Sequence, residues 1–297
     1  MLRWLEITPD YRCNNRCLGC YSVSDSGPAM DGGEIVRALR SARAAGADSL
    51  WIGGGEPTLR KDLFAAVRAA RSFGFSRVKL QTNGMLLAYP AFVAELVRAG
   101  VTEVNFAIKG ASAETHDEFT RTPGGYELLL QAVEAARAHA LRIEADVLVY
   151  RSTVREMPAI VREFLPRGIQ HFNFWLLSAN AGAEPEAQRE VPPLREVVPF
   201  LLEAIALATP ERVTSLHTPP CVLPREQHAC LFDAAGLGML IVNPGGHSFR
   251  LEESPIEGGV FLERCAGCAL RGRCNGLRAE YLARFGDEEF RPLGASG

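Results

Sequence analysis

The feature that most constrains this chain is a repeat: six short apolar strands alternate with amphipathic helices from the N-terminus to about Ala208. The strand segments are Trp4–Thr8, Ser49–Gly53, Arg77–Thr82, Glu103–Lys109, Ile143–Tyr150 and His171–Leu177. Between them run helical stretches rich in Ala, Leu and Arg: Gly33–Ala45, Asp62–Phe73, Ala91–Ala99, Tyr126–Ala138 and Val154–Leu165, with Leu194–Leu207 completing the sixth unit. Repeated βα units imply a parallel sheet with right-handed crossovers. That leaves a doubly wound sheet or an incomplete barrel, and strand parity separates the two. Doubly wound strands are buried on both faces and read apolar throughout. Here one parity is repeatedly polar (Glu6, Lys79, Gln81, Asn105, Glu144, Asp146, His171 and Asn173), while its opposite, such as Val78, Leu80, Phe106 and Val147, is apolar. The fold expected is α/β, a partial (β/α)6 TIM-like barrel around a solvated polar pocket. Ala179–Pro193, rich in Pro, Gly, Ala and Glu, is expected as a long loop near its mouth.

Beyond about Thr209 the periodicity fades and Pro, Gly and Cys accumulate, so residues 1–208 and 209–297 are expected to form two domains. The second is small and cysteine-rich, a kind of module that needs a metal or cross-link to hold it. The eight cysteines fall in two clusters, with none between Cys20 and Cys221. The opening Met-Leu-Arg-Trp-Leu-Glu breaks any secretory apolar core with charges at Arg3 and Glu6, so a cytoplasmic location is expected. Disulfides are rare in that compartment, and clustered cysteines there point to metal ligation. No apolar run approaches the roughly 18 residues a membrane helix needs. A net charge of −3, from 32 basic and 35 acidic residues, gives no field to gather nucleic acid. Neither a membrane nor a nucleic acid is expected as a partner.

After the first strand comes Cys13-x3-Cys17-x2-Cys20. Three thiolates on one loop can hold three irons of a cubane and leave the fourth open to a small ligand. Zinc is the alternative, but structural zinc is closed by four ligands, and the next histidine is only at His116. Three cysteines by themselves leave both open. Further along, in order, stand Gly53-Gly54-Gly55-Glu56-Pro57 after strand two, Thr82-Asn83-Gly84 after strand three, and Phe106-Ala-Ile-Lys109-Gly110 with Ser112 and His116 after strand four. The first of these is no phosphate loop, because no Gly-Lys-Ser/Thr follows.

In spacing, position and order these landmarks resemble the radical S-adenosylmethionine superfamily over about Trp4 to Leu177. The resemblance implies that Cys13, Cys17 and Cys20 hold a [4Fe–4S] cluster, and that S-adenosylmethionine chelates the open iron through its amino and carboxylate groups. It further implies cofactor contacts from Gly54, Gly55, Glu56, Pro57, Thr82, Asn83, Ser112 and Leu177. The family usually has an aromatic residue before the third cysteine. This chain has Gly19 there, and Tyr21 is the substitute expected to pack on adenine. Lys109 shares parity with Asn105 and so reaches the mouth; with Asn105 and Asp146 it is a candidate catalytic residue. His116 is read as a hydrogen-bonding residue at a helix start.

The tail carries Cys221, Cys230 and the run Cys265-x2-Cys268-x5-Cys274. By its own chemistry such a run, with a distant partner, suits zinc or a cubane. With the first domain resembling a radical enzyme, the tail resembles the SPASM or twitch appendages of that superfamily. That implies one auxiliary [4Fe–4S] cluster on Cys221, Cys265, Cys268 and Cys274, with Cys230 spare or an alternative ligand. The activity implied is reductive cleavage of S-adenosylmethionine to a 5′-deoxyadenosyl radical, followed by hydrogen abstraction from a small-molecule or short peptidic substrate. A low-potential donor such as flavodoxin or ferredoxin supplies the electron. The competing reading is a zinc-stapled, non-catalytic binding or regulatory protein on a degenerate barrel.

Overall fold

The computed structural model of the protein describes residues 1–20, 28–178, 184–254 and 258–294. The six expected units appear as β1 (Trp4–Ile7), α1 (Gly32–Ala44), β2 (Ser49–Ile52), α2 (Leu63–Ser72), β3 (Arg77–Thr82) and α3 (Pro90–Ala99), then β4 (Glu103–Ile108), α4 (Ala113–Thr120), α5 (Gly125–Ala138), β5 (Arg142–Val149), α6 (Met157–Phe164), β6 (His171–Leu176), α7 (Pro185–Arg189) and α8 (Leu194–Ala208). After them come β7 (Val213–Leu216), α9 (Ala234–Leu237), β8 (Met239–Val242), β9 (Ser248–Arg250) and α10 (Ala279–Phe285).

Local sequence explains where these elements begin and end. Asp31 and Glu34 form a reciprocal capping box at the start of α1, and Ile35, Leu39 and Ala42 then turn one buried stripe to the sheet. Gly100, at φ 116°, takes the left-handed position that stops α3. The run expected as loop holds the short α7, which Pro185 opens at its first turn; residues 179–183 lie outside the described ones.

The sheet runs β7-β6-β5-β4-β3-β2-β1-β8-β9. It is parallel except for β9, which pairs antiparallel with β8. It does not close, so the partial-barrel class stands as expected. Three of its strands come from beyond Ala208: β7 joins β6 at one side, and β8 joins β1 at the other with β9 outside it. The apolar parity packs under the helices, with Leu5, Leu50, Val78, Leu80, Val104 and Phe106 all fully buried.

The polar parity lines the lumen in layers set by register. Glu6, Trp51, Lys79 and Glu103 face across one level, and Gln81, Asn105, Glu144 and His171 across the next. This interior is not the solvated pocket that its polarity suggests. Lys79, Glu103, Asn105, Glu144 and Asp146 are all buried, and Lys79, Glu103 and Glu144 are held in ion pairs. Lys79 Nζ lies 2.6 Å from Glu144 and 3.8 Å from Glu103, Arg142 reaches Glu144 at 2.8 Å, and Arg77 clasps Glu103 with two bonds. The Lys79 ammonium also sits 4.5 Å from the Trp51 ring centre, which offsets part of its desolvation. Among the described residues no helix is long and apolar enough to cross a membrane.

Candidate active site

The loops following β1 to β6 gather at the carboxyl ends of the parallel strands, the end at which such sheets bind ligands. The loop after β1 is fastened to the glycine-rich turn after β2 backbone to backbone. Gly53 N–H donates to Ile7 O at 3.0 Å, Gly55 N–H to Asp10 O at 2.9 Å, and Glu56 N–H to Arg12 O at 2.8 Å. Only glycine permits this approach. A Cβ on Gly54 would stand 2.6 Å from Asp10 O, and one on Gly55 2.6 Å from Tyr11 O and closer still to Arg12 O. Arg12 donates to Asp10 through its backbone and its guanidinium. Burial pushes the Asp10 carboxyl up, yet these bonds and the nearby Arg60 hold it below its ordinary value.

Glu56 is 2% exposed and is a structural hub. Its carboxylate accepts from Thr58 N–H at 3.1 Å and Oγ1 at 2.6 Å, from Thr82 Oγ1 at 2.9 Å, and from the Asn83 backbone N–H at 2.7 Å. Burial raises its pKa while those four donors oppose the rise. The Asn83 side chain donates to Asn14 Oδ1 at 2.7 Å and lies 3.9 Å from Cys13 Sγ, so the Thr82-Asn83-Gly84 turn abuts the cysteine loop. Pro57 is buried behind this hub.

Cys13 is exposed, and Cys17 and Cys20 are half-buried. Although the residue as a whole is exposed, desolvation at its sulfur pushes the Cys13 thiol up to about 11, with Glu56, Cys17 and Cys20 adding to the rise. Burial likewise raises Cys17, which Lys109 draws back down and Cys20 pushes further up. The three sulfurs thus share one electrostatic neighbourhood, and a metal centre bound there would displace their protons. Lys109, just past the end of β4, acts electrostatically on both Cys17 and His116, and burial together with Lys109 depresses the His116 pKa to about 4. His116 Nδ1 accepts the Lys109 backbone N–H at 3.3 Å, so it holds the β4 turn as a neutral ring. Ser112 caps α4 through Thr115 N–H at 3.3 Å. Tyr21 lies outside the described residues.

Sequence reasoning missed what supports the cysteine loop from behind. Leu18, Phe119, Tyr150, Leu177, Ala187 and Val191 form a second small apolar cluster. Phe119 stacks on Tyr150 at 4.1 Å between ring centres. Tyr150 Oη donates to Leu18 O at 3.0 Å, and Leu18 N–H donates to Phe119 O at 2.9 Å. Gly19 has a structural reason here: its φ is +70°, and a Cβ would meet Leu177 Cδ1 at 2.9 Å. The only sequence signal for this cluster was the apolar character of residues as far apart as Leu18 and Val191.

In the tail, Cys221, Cys265, Cys268 and Cys274 line one cavity, walled by Phe261 and Pro292 among others. Burial raises the Cys221 thiol to about 11, with Cys274 and Cys265 contributing. Cys230 is 1% exposed in the main core and does not line this cavity. Its pKa also rises to about 11, through burial, with no contribution from another cysteine.

A parallel partial barrel with three cysteines after its first strand and a glycine-rich turn fastened beside them is the arrangement of a radical-generating iron–sulfur enzyme. The chain belongs to the radical SAM superfamily, whose family model matches residues 7–164. It is 30% identical over 165 residues to "Probable GTP 3′,8-cyclase" of Methanopyrus kandleri, covering 54% of this chain and 52% of that protein. To the AdoMet-dependent heme synthase of Methanosarcina barkeri it is 33% identical over 162 residues, 53% and 44% of the two chains. The chain therefore spans about half the length of these curated relatives. Among solved structures, Streptococcus suis SuiB bound to S-adenosylmethionine is similar with a TM-score of 0.65 at 15% identity, over 98% of this chain and 76% of that one. Native anSMEcpe with bound AdoMet has a TM-score of 0.58 at 18% identity, over 69% and 60%. These likenesses show the fold.

Proposed function

We propose that this enzyme uses reductively cleaved S-adenosylmethionine to remove hydrogen from a small-molecule or short peptidic substrate, with a second [4Fe–4S] cluster assisting oxidation or electron transfer. The observation that carries the reading is the loop of Cys13, Cys17 and Cys20, pinned by Gly55 and Glu56 at the carboxyl ends of β1 and β2. Three soft thiolates suit iron–sulfur ligation and not a hard cation. When bound there, the cluster and S-adenosylmethionine supply an electron and a 5′-deoxyadenosyl radical. The chain's own residues orient and enclose. Glu56 fixes the turns after β2 and β3, Asn83 braces the Cys13 side, and Phe119 and Tyr150 close the loop from behind. Exposed Cys13 puts the centre near the surface, within reach of a flavodoxin or ferredoxin. Asn105 and Asp146 face the lumen where substrate would lie.

In the tail, Cys221, Cys265, Cys268 and Cys274 form the auxiliary ligand set of a twitch-like module. Their shared cavity supports this choice over Cys230. Eight free cysteines suit a reducing cytoplasm. The test is anaerobic reconstitution followed by dithionite and S-adenosylmethionine. 5′-Deoxyadenosine forms with the native chain and disappears in Cys17→Ala, whereas undiminished product in that variant, or a colourless protein carrying zinc, would sink the proposal.

A further inference from the structure

Charge in the lumen is balanced around Lys79 and left unpaired at two carboxylates. Lys79 and Arg142 are both committed to Glu144, and Arg77 to Glu103. Glu6 and Asp146 have no ion-pair partner among the described residues. Asp146 accepts only from neutral amides, Gln81 Nε2 at 2.6 Å and Asn173 Nδ2 at 3.0 Å. Asn105 is 0% exposed, and both atoms of its amide lack a hydrogen-bond partner. So do the indole N–H groups of Trp51 and Trp175. Asn105 and Trp175 face the Asp146 carboxylate without reaching hydrogen-bond geometry with it. Buried polar groups are almost always satisfied, and orphans on Asn105 and Trp175 beside the Asp146 carboxylate, with another on Trp51 beside Gly53, mark a place that a ligand completes.

The same place is kept open by Gly53. A Cβ there would fall 2.9 Å from Gln81 Oε1, 3.7 Å from Glu6 Oε1 and 3.8 Å from Trp51 Nε1, so any side chain would fill the space these groups surround. Glu6 and Asp146 also feel each other: burial first, and then Asp146, lift the Glu6 carboxyl to about 7. A bound cation would remove that repulsion, and the indole rings favour a cation over their faces.

Resting on the proposed function above, we infer that the substrate carries an organic ammonium group, held between Glu6 and Asp146, beside an oxygen that accepts from Asn105 and the indole N–H groups. An anionic group placed there would meet two carboxylates, and an apolar one would leave every orphan unpaired.

The chain's three tryptophans, Trp4, Trp51 and Trp175, all stand on the lumen face, so intrinsic fluorescence reads this site directly. The reconstituted enzyme, loaded with S-adenosylmethionine and kept without reductant, is titrated with n-pentylammonium and with its neutral counterpart pentan-1-ol. The ammonium is expected to saturate an emission change at least about tenfold more tightly than the alcohol. Asp146→Asn and Glu6→Gln should each erase that preference. Gly53→Ala, which removes no charge, should weaken both probes, and it guards against a variant lost to misfolding. Equal response to the two probes, no saturable response to the ammonium, or an unaltered preference in both carboxylate variants overturns the inference. Cofactor cleavage is scored separately as 5′-deoxyadenosine formed without substrate. A failed radical reading thus shows there, and a failed lumen assignment shows in the fluorescence.

Discussion

The backbone N–H of Asn83 donates to the buried carboxylate of Glu56 at 2.7 Å, so a residue after β2 determines where the turn after β3 meets the cysteine loop. Glu56→Ala removes the acceptor of four bonds and leaves the Thr58 and Asn83 amides unpaired. The expected cost is about 2–4 kcal/mol of stability, measured by denaturant unfolding, together with weaker S-adenosylmethionine binding in calorimetry. A variant as stable as the native chain would show that the hub is dispensable.

Gly55→Ala tests the fastening of the two loops. Its Cβ has no room against Tyr11 O and the backbone of Arg12, so the cysteine loop must shift. Iron per chain after reconstitution should fall by about the content of one cluster, with the tail's share retained. Full iron loading would mean the loops separate without harm.

Cysteine replacements in the tail should divide sharply. Cys274→Ala or Cys221→Ala takes one wall from the four-cysteine cavity and should lose the auxiliary signal in electron paramagnetic resonance. Cys230→Ala removes a buried thiol from the main core and should cost only about 1 kcal/mol, with the signal intact. The opposite pattern would move the fourth ligand to Cys230.

Glu6 gives a pH signature. Its folded pKa is raised to about 7, whereas the unfolded chain releases that proton near 4.3. Below about pH 4 both states are protonated and the group costs nothing; as pH rises to about 7 the unfolded state ionises first and stability falls. The loss should reach about 1–3 kcal/mol, trimmed by the side chain's partial solvent access. Glu6→Gln should flatten this limb of the stability–pH curve. An identical curve in the variant would refute the shift.

The sheet was readable where the chain repeats itself. β1 to β6 appear within a residue or two of the segments expected, and the parity of Asn105, Glu144 and Asp146 pointed correctly to the lumen. Parity could not tell that Lys79 pairs with Glu144, 65 positions away, so an interior partly closed by ion pairs read as wet throughout. β7 is four residues long, too short for a period to register. Met239–Val242 is a four-residue apolar run that has nothing strand-like about it until β1 lies alongside. The motif marks Glu56 as an expected cofactor contact, yet its four bonds within the fold depend on Thr58, Thr82 and Asn83 arriving together, which spacing alone does not reveal.

The pairing of β8 with β1 has a consequence for how the chain is made. Trp4–Ile7 leaves the ribosome more than two hundred residues before its neighbour Met239–Val242. Until then β1 is an edge, with unpaired N–H and C=O groups beside Trp4, Leu5 and Ile7, the kind of strand that recruits other chains. Contacts this distant in sequence form late. While those residues are made, β1 stays half-sheltered, and a co-translational chaperone would find its substrate there.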